Sequence, residues 1–367
     1  MKIKTVEIIP LRVPFEDGSA GVGLMPTKWT HLDVALVRIE SDDGAVGWGD
    51  AFAYSCLRPV CAAIEDMVAP HLVGLTLEPT ATAIAALNRS LQQRLHLHGR
   101  YGITTFAISA VDIALYDLAA KTTGQSVAHL IAGTARDSVP AYASLVRYGD
   151  PGQVRDFATR AVEEGYAHIK LHEITDAAIT AGAEAVAGRA QLKTDVNCSW
   201  SDDEAATLVA RCAELGLYWV EEPIFPPDDV GKLNALQSEH GIAIATGENA
   251  CTAVEFARIV SAVTFPQPSV TKVGGISEFL AVCDQAEAAG KTVMPHAPYF
   301  GPGYWATLQI MAARPVCGLF ERFFIEPEAF LDPSIPLPVR GTITVADKPG
   351  LGFEPDPDII ASYRIDR

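Results

Sequence analysis

No Cys-x-x-Cys pair occurs in this chain. Its seven cysteines, at 56, 61, 198, 212, 251, 283 and 317, are odd in number and scattered, so a zinc ribbon or dithiol redox motif has no support. They read as reduced, mostly buried thiols. No run reaches the roughly 18–20 successive apolar residues that cross a bilayer, and the N-terminus meets Pro10 before a long apolar core can form. Neither a membrane span nor a secretory leader is expected, and the cytoplasm is the expected location. Basic residues are the minority: 28 Lys and Arg against 45 Asp and Glu give a formal net charge of -17. A nucleic-acid footprint needs clustered cations, which excludes nucleic acid as the expected partner. A small anionic substrate stays compatible where a metal or lysine makes the site locally positive. Low-complexity tracts are also missing. With 49% hydrophobic and 20% charged residues the composition is globular, and 367 residues are too many for one simple core, so about two or three domains are expected.

Three zones follow one another. Residues 3–9 and 34–39 read as strands, Ser41-Asp42-Asp43-Gly44 as a turn, and 45–49 as extended chain again. Beyond about Pro59 the spacing turns helical, most clearly over 105–121, where Ile108, Val111, Leu115 and Leu118 recur at three- and four-residue steps. Strands followed by helices suggest an α+β domain over residues 1–125. From 126 to 322, short apolar runs alternate with alanine-rich helical segments. Gly165, Gly216, Gly241 and Gly290 precede the runs at 167–171, 217–220, 242–245 and 292–294, the place of a left-handed helix stop. Ser201-Asp202-Asp203-Glu204 has capping-box spacing. This alternation means parallel strands with crossover helices. Residues 323–367 are proline-rich, with a strand-like piece at 341–345. They are too short for a domain and are expected to return to the N-terminal one.

Each β/α unit carries a polar residue late in its strand: Lys170, Asp195, Glu221, Glu248, Ser269, His296 and Glu321, spaced 21 to 27 residues apart. Barrel enzymes gather catalytic groups at C-terminal strand ends around one mouth. A doubly wound open sheet, the alternative, would leave these positions without a common site. The spacing therefore predicts a closed barrel of the TIM type. Asp195, Glu221 and Glu248, brought together from adjacent strands, would repel one another unless a cation neutralised them. An all-oxygen donor set suits Mg²⁺ or Mn²⁺ rather than zinc. Any one of these acids alone reads more readily as a solvated surface carboxylate than as a ligand; their regular placement after apolar runs reverses that for the set. Asn197, two residues past Asp195, shares its face if the strand persists, and would then donate a hydrogen bond to substrate.

Lys170 and His172 are also two apart and point into the same mouth. An ammonium and a metal beside the imidazole disfavour its protonation, so His172 is expected neutral, as a general base must be. His296 comes from a strand across the barrel and would approach the opposite face of a substrate. These parts suit removal of a proton α to a carboxylate. The dianion that results is stabilised by a chelating divalent cation with lysine and carboxylic-acid donors.

Taken in order, Lys170-x-His172, Asp195-x-Asn197, Glu221-Glu222-Pro223, Gly247-Glu248-Asn249, Lys272-Val273-Gly274-Gly275, His296 and Glu321 resemble the mandelate racemase branch of the enolase superfamily. The resemblance extends over essentially the whole chain. It implies an α/β fold: a modified (β/α)7β barrel with an α+β capping domain made from the N-terminus and the C-terminal tail. It further implies Mg²⁺ on Asp195, Glu221 and Glu248, with Mn²⁺ as the substitute, substrate-carboxylate contacts from Lys170, and a hydrogen-bond donor role for Glu321. Loops at about 15–31 and 50–58 would close over the barrel and select the distal end of a small carboxylate substrate. Lys28, Trp29, His31, Tyr54 and Arg58 are the candidates there. A homo-oligomer is implied as well.

Two departures shape the functional expectation. The base position, commonly the second lysine of Lys-x-Lys, is His172. The acid that partners the seventh-strand histidine is replaced by Ser269. A hydroxyl can orient His296 but cannot stabilise its imidazolium as a carboxylate would. Dehydration of a sugar acid leads: His172 abstracts the α-proton and His296 assists loss of the β-hydroxyl, giving a 2-keto-3-deoxy acid. A racemase or epimerase needs two competent bases, and a cycloisomerase stands third. The rival from another class is a non-catalytic barrel that binds a small acid.

Overall fold

In the computed structural model, which describes residues 1–16 and 29–365, the chain opens on an antiparallel sheet. Strand β1 (Ile3–Glu16) pairs with β2 (His31–Ser41), and β2 with β3 (Val46–Ala51). Helices α1 (Leu57–Ala63), α2 (Ala81–Leu95) and α3 (Ile103–Thr122) follow, then the short α4 (Val127–Ala132). Gly47 and Gly49 let β3 lie directly on α3, because a Cβ at either position would strike the helix backbone at Ala114 or Ala110. Helix α3 corrects one expectation from the sequence. By length and composition it is apolar enough to cross a membrane, yet it lies almost wholly buried inside the protein. It packs against β2, β3 and α2 of the cap and against a barrel helix.

The second unit alternates strand and helix as the sequence rhythm requires. Strands β4 (Ser138–Ser144), β5 (His168–Leu171), β6 (Gln191–Asp195), β7 (Trp219–Glu221), β8 (Ala243–Thr246) and β9 (Phe265–Pro266) pair in parallel in that order. Strand β10 (Phe320–Phe323) pairs in parallel with β4. Backbone bonds from Met294 to Pro266, from His296 to Pro268 and from Gly318 to Val293 seat residues 293–296 between β9 and β10, so the barrel closes. Among the described residues seven helices separate these eight positions: α5 (Pro151–Glu163), α6 (Asp176–Val186), α7 (Asp202–Glu214), α8 (Val230–His240), α9 (Thr252–Ala262), α10 (Gly275–Ala288) and α11 (Pro302–Ala313). The fold is thus the (β/α)7β barrel with an α+β cap.

Local signals act where the sequence puts them. Ser201 and Glu204 form a reciprocal capping box at the start of α7. Gly165, Gly216, Gly241 and Gly290 all have positive φ, between 63° and 92°. Below the mouth, Tyr142, Trp219, Phe265, Met294 and Leu319 form one buried layer, which makes the barrel interior a packed core. All seven cysteines are free, five of them buried.

The tail divides between the two domains instead of serving the cap alone. Strand β11 (Glu326–Pro327) pairs with β1, and Ile365 bonds back to Pro10, whereas β12 (Thr342–Thr344) pairs antiparallel with β4 of the barrel. Two cap aspartates fix the cap on the barrel. Asp112 of α3 accepts hydrogen bonds from the Ser277 backbone N–H at 3.0 Å and hydroxyl at 2.6 Å, in the first turn of α10. Asp50 of β3 accepts from the Gly303 N–H, 2.6 Å away, at the start of α11. Each works as a helix cap supplied from the other domain. Burial pushes both carboxyls up to about 7.

Candidate active site

Strands β5, β6 and β7 deliver Lys170, Asp195 and Glu221 to the same end of the barrel, and Glu248 follows two residues after β8. One ligand atom from each of the three acids lies within 4.8 Å of the others, and all three are buried. Neighbours orient each of them. The Trp219 indole donates to Glu221 at 3.1 Å, the Asn197 N–H to Asp195 at 2.9 Å, and the Asn249 amide to Glu248 at 3.0 Å. Such outer contacts are what fix metal ligands in place.

The electrostatics also call for a cation. Burial works against ionising all three acids. Lys170 and His172 nevertheless hold Asp195 below the usual carboxylate range, and His296 and Lys272 do the same for Glu248. Glu221, buried and beside the Asp195 charge, is pushed well above its ordinary value. Three carboxylates this close ionise together only if more positive charge arrives. The donor set, all oxygen, matches a hard divalent ion.

Lys170 is 1% exposed and donates to Asp195 at 3.2 Å, to Glu221 at 3.0 Å and to Glu321 at 2.8 Å. Despite its burial, the surrounding acids hold its ammonium protonated. Glu321 accepts from Lys170, from the Ser144 hydroxyl at 2.8 Å and from the Ala297 N–H at 2.9 Å. Burial would raise its carboxyl, but Lys170 and His296 bring it below the ordinary value. Without substrate, Glu321 thus accepts from three neighbours and aims Lys170.

The two histidines flank the acidic row at opposite ends. His172 Nδ1 hydrogen-bonds the Leu145 carbonyl, and its Nε2 lies 3.4 Å from Asp195. His296 Nε2 lies 3.1 Å from Glu248, while its Nδ1 lies 3.2 Å from the Tyr299 hydroxyl. Ser269 touches Tyr299, not His296, so the orienting hydroxyl is one residue removed from the expected one. Asn197 does not continue the strand. It sits at φ 45°, yet it still lines the cavity.

The cavity above these groups holds about 300 Å³. Trp29 and Tyr54 line it as expected, with ring centroids 4.4 Å apart, and Trp29 stacks on Phe323 at 5.3 Å. Arg58 is a correction: it lies exposed in the first turn of α1 and is no part of the wall. His31 is also off the wall, 3.8 Å from Asp33. Lys28 lies outside the described residues. Sequence reasoning missed several contributors. Lys272 lies over the Phe52 ring at 4.1 Å and donates to Asn249 at 3.0 Å. Arg147, buried three residues past β4, donates to the His172 carbonyl and lies 3.4 Å from Asn197. Lys272 was present in a recognised motif but off the strand-end rhythm, and nothing local marks Arg147.

Known proteins resemble this chain over nearly its whole length. The model described as "Enolase C-terminal domain-like" matches residues 153–359, and the one described as "Mandelate racemase / muconate lactonizing enzyme, N-terminal domain" matches residues 16–132. D-galactarolactone cycloisomerase of Agrobacterium fabrum is 31% identical, covering 97% of this chain and 96% of its own length. Arabinonate dehydratase of Saccharolobus solfataricus is 29% identical over 91% of each chain. The crystal structure of a mandelate racemase/muconate lactonizing protein from Paracoccus denitrificans, complexed with magnesium, superposes with a TM-score of 0.84 at 27% identity, over 99% of this chain and 96% of that one.

Proposed function

The chain belongs to the mandelate racemase and muconate lactonizing enzyme family of the enolase superfamily, and from that premise we propose that it removes the proton α to a substrate carboxylate and expels an oxygen from the β-carbon. The observation that carries the reading is the hydrogen bond between His172 Nδ1 and the Leu145 carbonyl. A carbonyl only accepts, so Nδ1 carries a proton, which leaves Nε2, turned to the site 3.4 Å from Asp195, as the nitrogen that would take up the substrate proton. That is the geometry of a base. Arg147 donates to the backbone carbonyl of His172 and holds the base in place.

Asp195, Glu221 and Glu248 would hold Mg²⁺, which when bound would neutralise the charge that builds on the substrate carboxylate. Lys170, aimed by Glu321 and Ser144, donates to the same carboxylate. His172 Nε2 takes the α-proton, the electron pair forms the Cα–Cβ double bond, and the Cβ–O bond breaks with His296 assisting the departing oxygen. The enol becomes a 2-keto-3-deoxy acid. With an open-chain sugar acid the oxygen leaves as water, which is dehydration.

The cavity wall favours a second version of the same elimination. Trp29, Phe52, Tyr54, Phe300 and Phe323 form much of it. Ring C–H faces pack on aromatic surfaces, and a compact ring presents less polar surface to that part of the wall than an extended polyol does. A compact cyclic acid, a lactone or an anhydro sugar acid, fits such a wall. Its β-oxygen belongs to the ring and stays in the molecule, so the product is an isomer. Racemisation is disfavoured because, among the described residues, the partner at His296 Nδ1 is the Tyr299 hydroxyl and not a carboxylate.

The test is a screen of hexonates, hexarates and the 1,4-monolactones of the hexarates with MgCl₂ in D₂O, read for 2-keto acid and by proton NMR. Keto acid carrying one deuterium at C3 is expected, lost on chelation with EDTA and in His172→Ala. Stereochemical inversion with exchange and no keto acid would replace elimination by epimerisation. Turnover indifferent to Mg²⁺ would overturn the assignment as a whole.

A further inference from the structure

We infer that Cys198 is a positioning residue: the left-handed turn it completes with Asn197, fastened to Glu222 on the neighbouring strand, sets the spacing of Asp195 and Glu221 before an ion binds. The inference rests on the reading of these acids as metal ligands and is independent of which elimination the enzyme carries out.

One ligand atom from each of Asp195, Glu221 and Glu248 lies within 4.8 Å of the others, a spacing that like charges oppose. The backbones behind the acids must therefore be held together. Strands β6 and β7 pair through Asp195 and Glu221, where both strands end. Lateral bonds nevertheless continue past that point. Val196 N–H donates to the Glu221 carbonyl at 3.1 Å, Cys198 N–H to the Glu222 carbonyl at 2.9 Å, and Glu222 N–H to the Ala245 carbonyl of β8 at 3.1 Å. Three neighbouring strand ends are tied to one another beyond the ladder itself.

The turn is what lets Cys198 reach back to its neighbour. Asn197 and Cys198 have φ of 45° and 57°, and Ser199 N–H closes the turn on the Val196 carbonyl at 3.0 Å. That is the pattern of a tight turn with both central residues left-handed. The same reversal puts Asn197 N–H on Asp195 Oδ1 at 2.9 Å. Glu222, which receives the Cys198 bond, is also left-handed, at 45°. Asparagine tolerates this region, but in cysteine and glutamate Cβ crowds the following carbonyl oxygen. Among the described residues, six other than glycine have positive φ, and four of them (Asn197, Cys198, Glu222 and Thr252) follow one of the three acids by one to four positions. Strain gathered in this way, and held in place by surrounding bonds, points to a functional demand. Here that demand is a fixed ligand spacing. The Cys198 thiol lies 3.8 Å from Glu222 Oε2, and a thiol is a weak donor, so the backbone carries the positioning.

Titration calorimetry on the metal-free enzyme with Mg²⁺, and separately with Ca²⁺, tests this without substrate. Mg²⁺ demands a near-ideal octahedron with bonds of about 2.1 Å, whereas Ca²⁺ accepts longer and less regular ones. Cys198→Val, whose branched Cβ resists the left-handed region, is expected to lower Mg²⁺ affinity about tenfold or more. Ca²⁺ affinity should fall less, so the preference for Mg²⁺ shrinks. Cys198→Gly and Cys198→Asn, which adopt this φ readily, and Cys198→Ser are expected to bind both ions as wild type does. Folding is checked by urea unfolding, and Cys198→Thr takes the place of Cys198→Val if the latter does not fold. Equal loss of both ions, or loss of fold in both branched variants, would make the turn merely structural and overturn the inference. Unchanged Mg²⁺ affinity in Cys198→Val would overturn it as well. So would a loss in Cys198→Gly as large as in Cys198→Val, which would assign the effect to the thiol. A wild type that binds no Mg²⁺ would instead refute the metal assignment, and the positioning role with it.

Discussion

Glu221 receives the indole N–H of Trp219, two residues earlier on the same short strand, and this contact decides where its oxygens point. Replacing Trp219 with Phe keeps the ring and removes the donor. Mg²⁺ affinity, measured by titration calorimetry, should fall about ten- to hundredfold, the usual consequence of losing a contact behind a metal ligand; unchanged affinity would mean that Glu221 needs no such orientation. Lys170 is more demanding. Its ammonium is enclosed by Asp195, Glu221 and Glu321, so Lys170→Met should lower kcat by about a hundredfold or more, with only a modest change in KM. A loss confined to KM would assign Lys170 to binding alone. At this scale the sequence was partly readable. The strand-end residues recur at nearly constant intervals, which exposes Lys170, Asp195, Glu221, Glu248, His296 and Glu321 without any structure. Tyr299 escaped because it lies on the loop after His296, off that rhythm, and Arg58 was over-read because proximity along a loop does not say which way a helix start faces.

Between elements, the decisive contacts are those by which the cap supplies helix caps to the barrel. Asp50 and Asp112 meet partners 253 and 165 residues away, distances at which no spacing rule operates. The Ser201–Glu204 box and the glycine stops were legible because both partners sit within one turn. Residues 292–294 read as a strand but make a single isolated bridge, Val293 to Cys317, and Pro295 removes the next donor a ladder needs. The Asp50 cap predicts a pH dependence. Burial raises its folded-state value to about 7, while the unfolded carboxyl titrates near its ordinary value of about 4. Between these limits only the folded protein holds the proton. Its stabilising contribution is therefore fully present below about pH 4 and is lost as pH rises through about 7. Asp50→Asn retains an oxygen for the Gly303 N–H and cannot titrate. Relative to wild type, the variant should gain roughly 2–4 kcal/mol between pH 4 and pH 8, measured by urea unfolding. A difference independent of pH would show that Asp50 is already ionised in the folded protein.

On the scale of the whole molecule, a barrel of eight strand positions brings ligands from distant parts of the chain to one mouth, and a cap lays aromatic side chains over it. Crowding three carboxylates there costs stability in the free protein, and the ion that relieves it should be visible in unfolding. At a hundredfold excess over its dissociation constant, Mg²⁺ should stabilise the folded chain by about 2.7 kcal/mol, read as a rise in Tm that EDTA reverses and that Asp195→Asn abolishes. The central claim is narrower, that His172 removes the proton next to the substrate carboxylate. It is tested most directly by incubating wild type and His172→Gln, both loaded with Mg²⁺, in D₂O with the acid that wild type turns over, and following the α-proton by NMR. The account predicts loss of that proton with wild type and full retention with the variant at unchanged Mg²⁺ affinity. Continued loss of the α-proton in His172→Gln would contradict it.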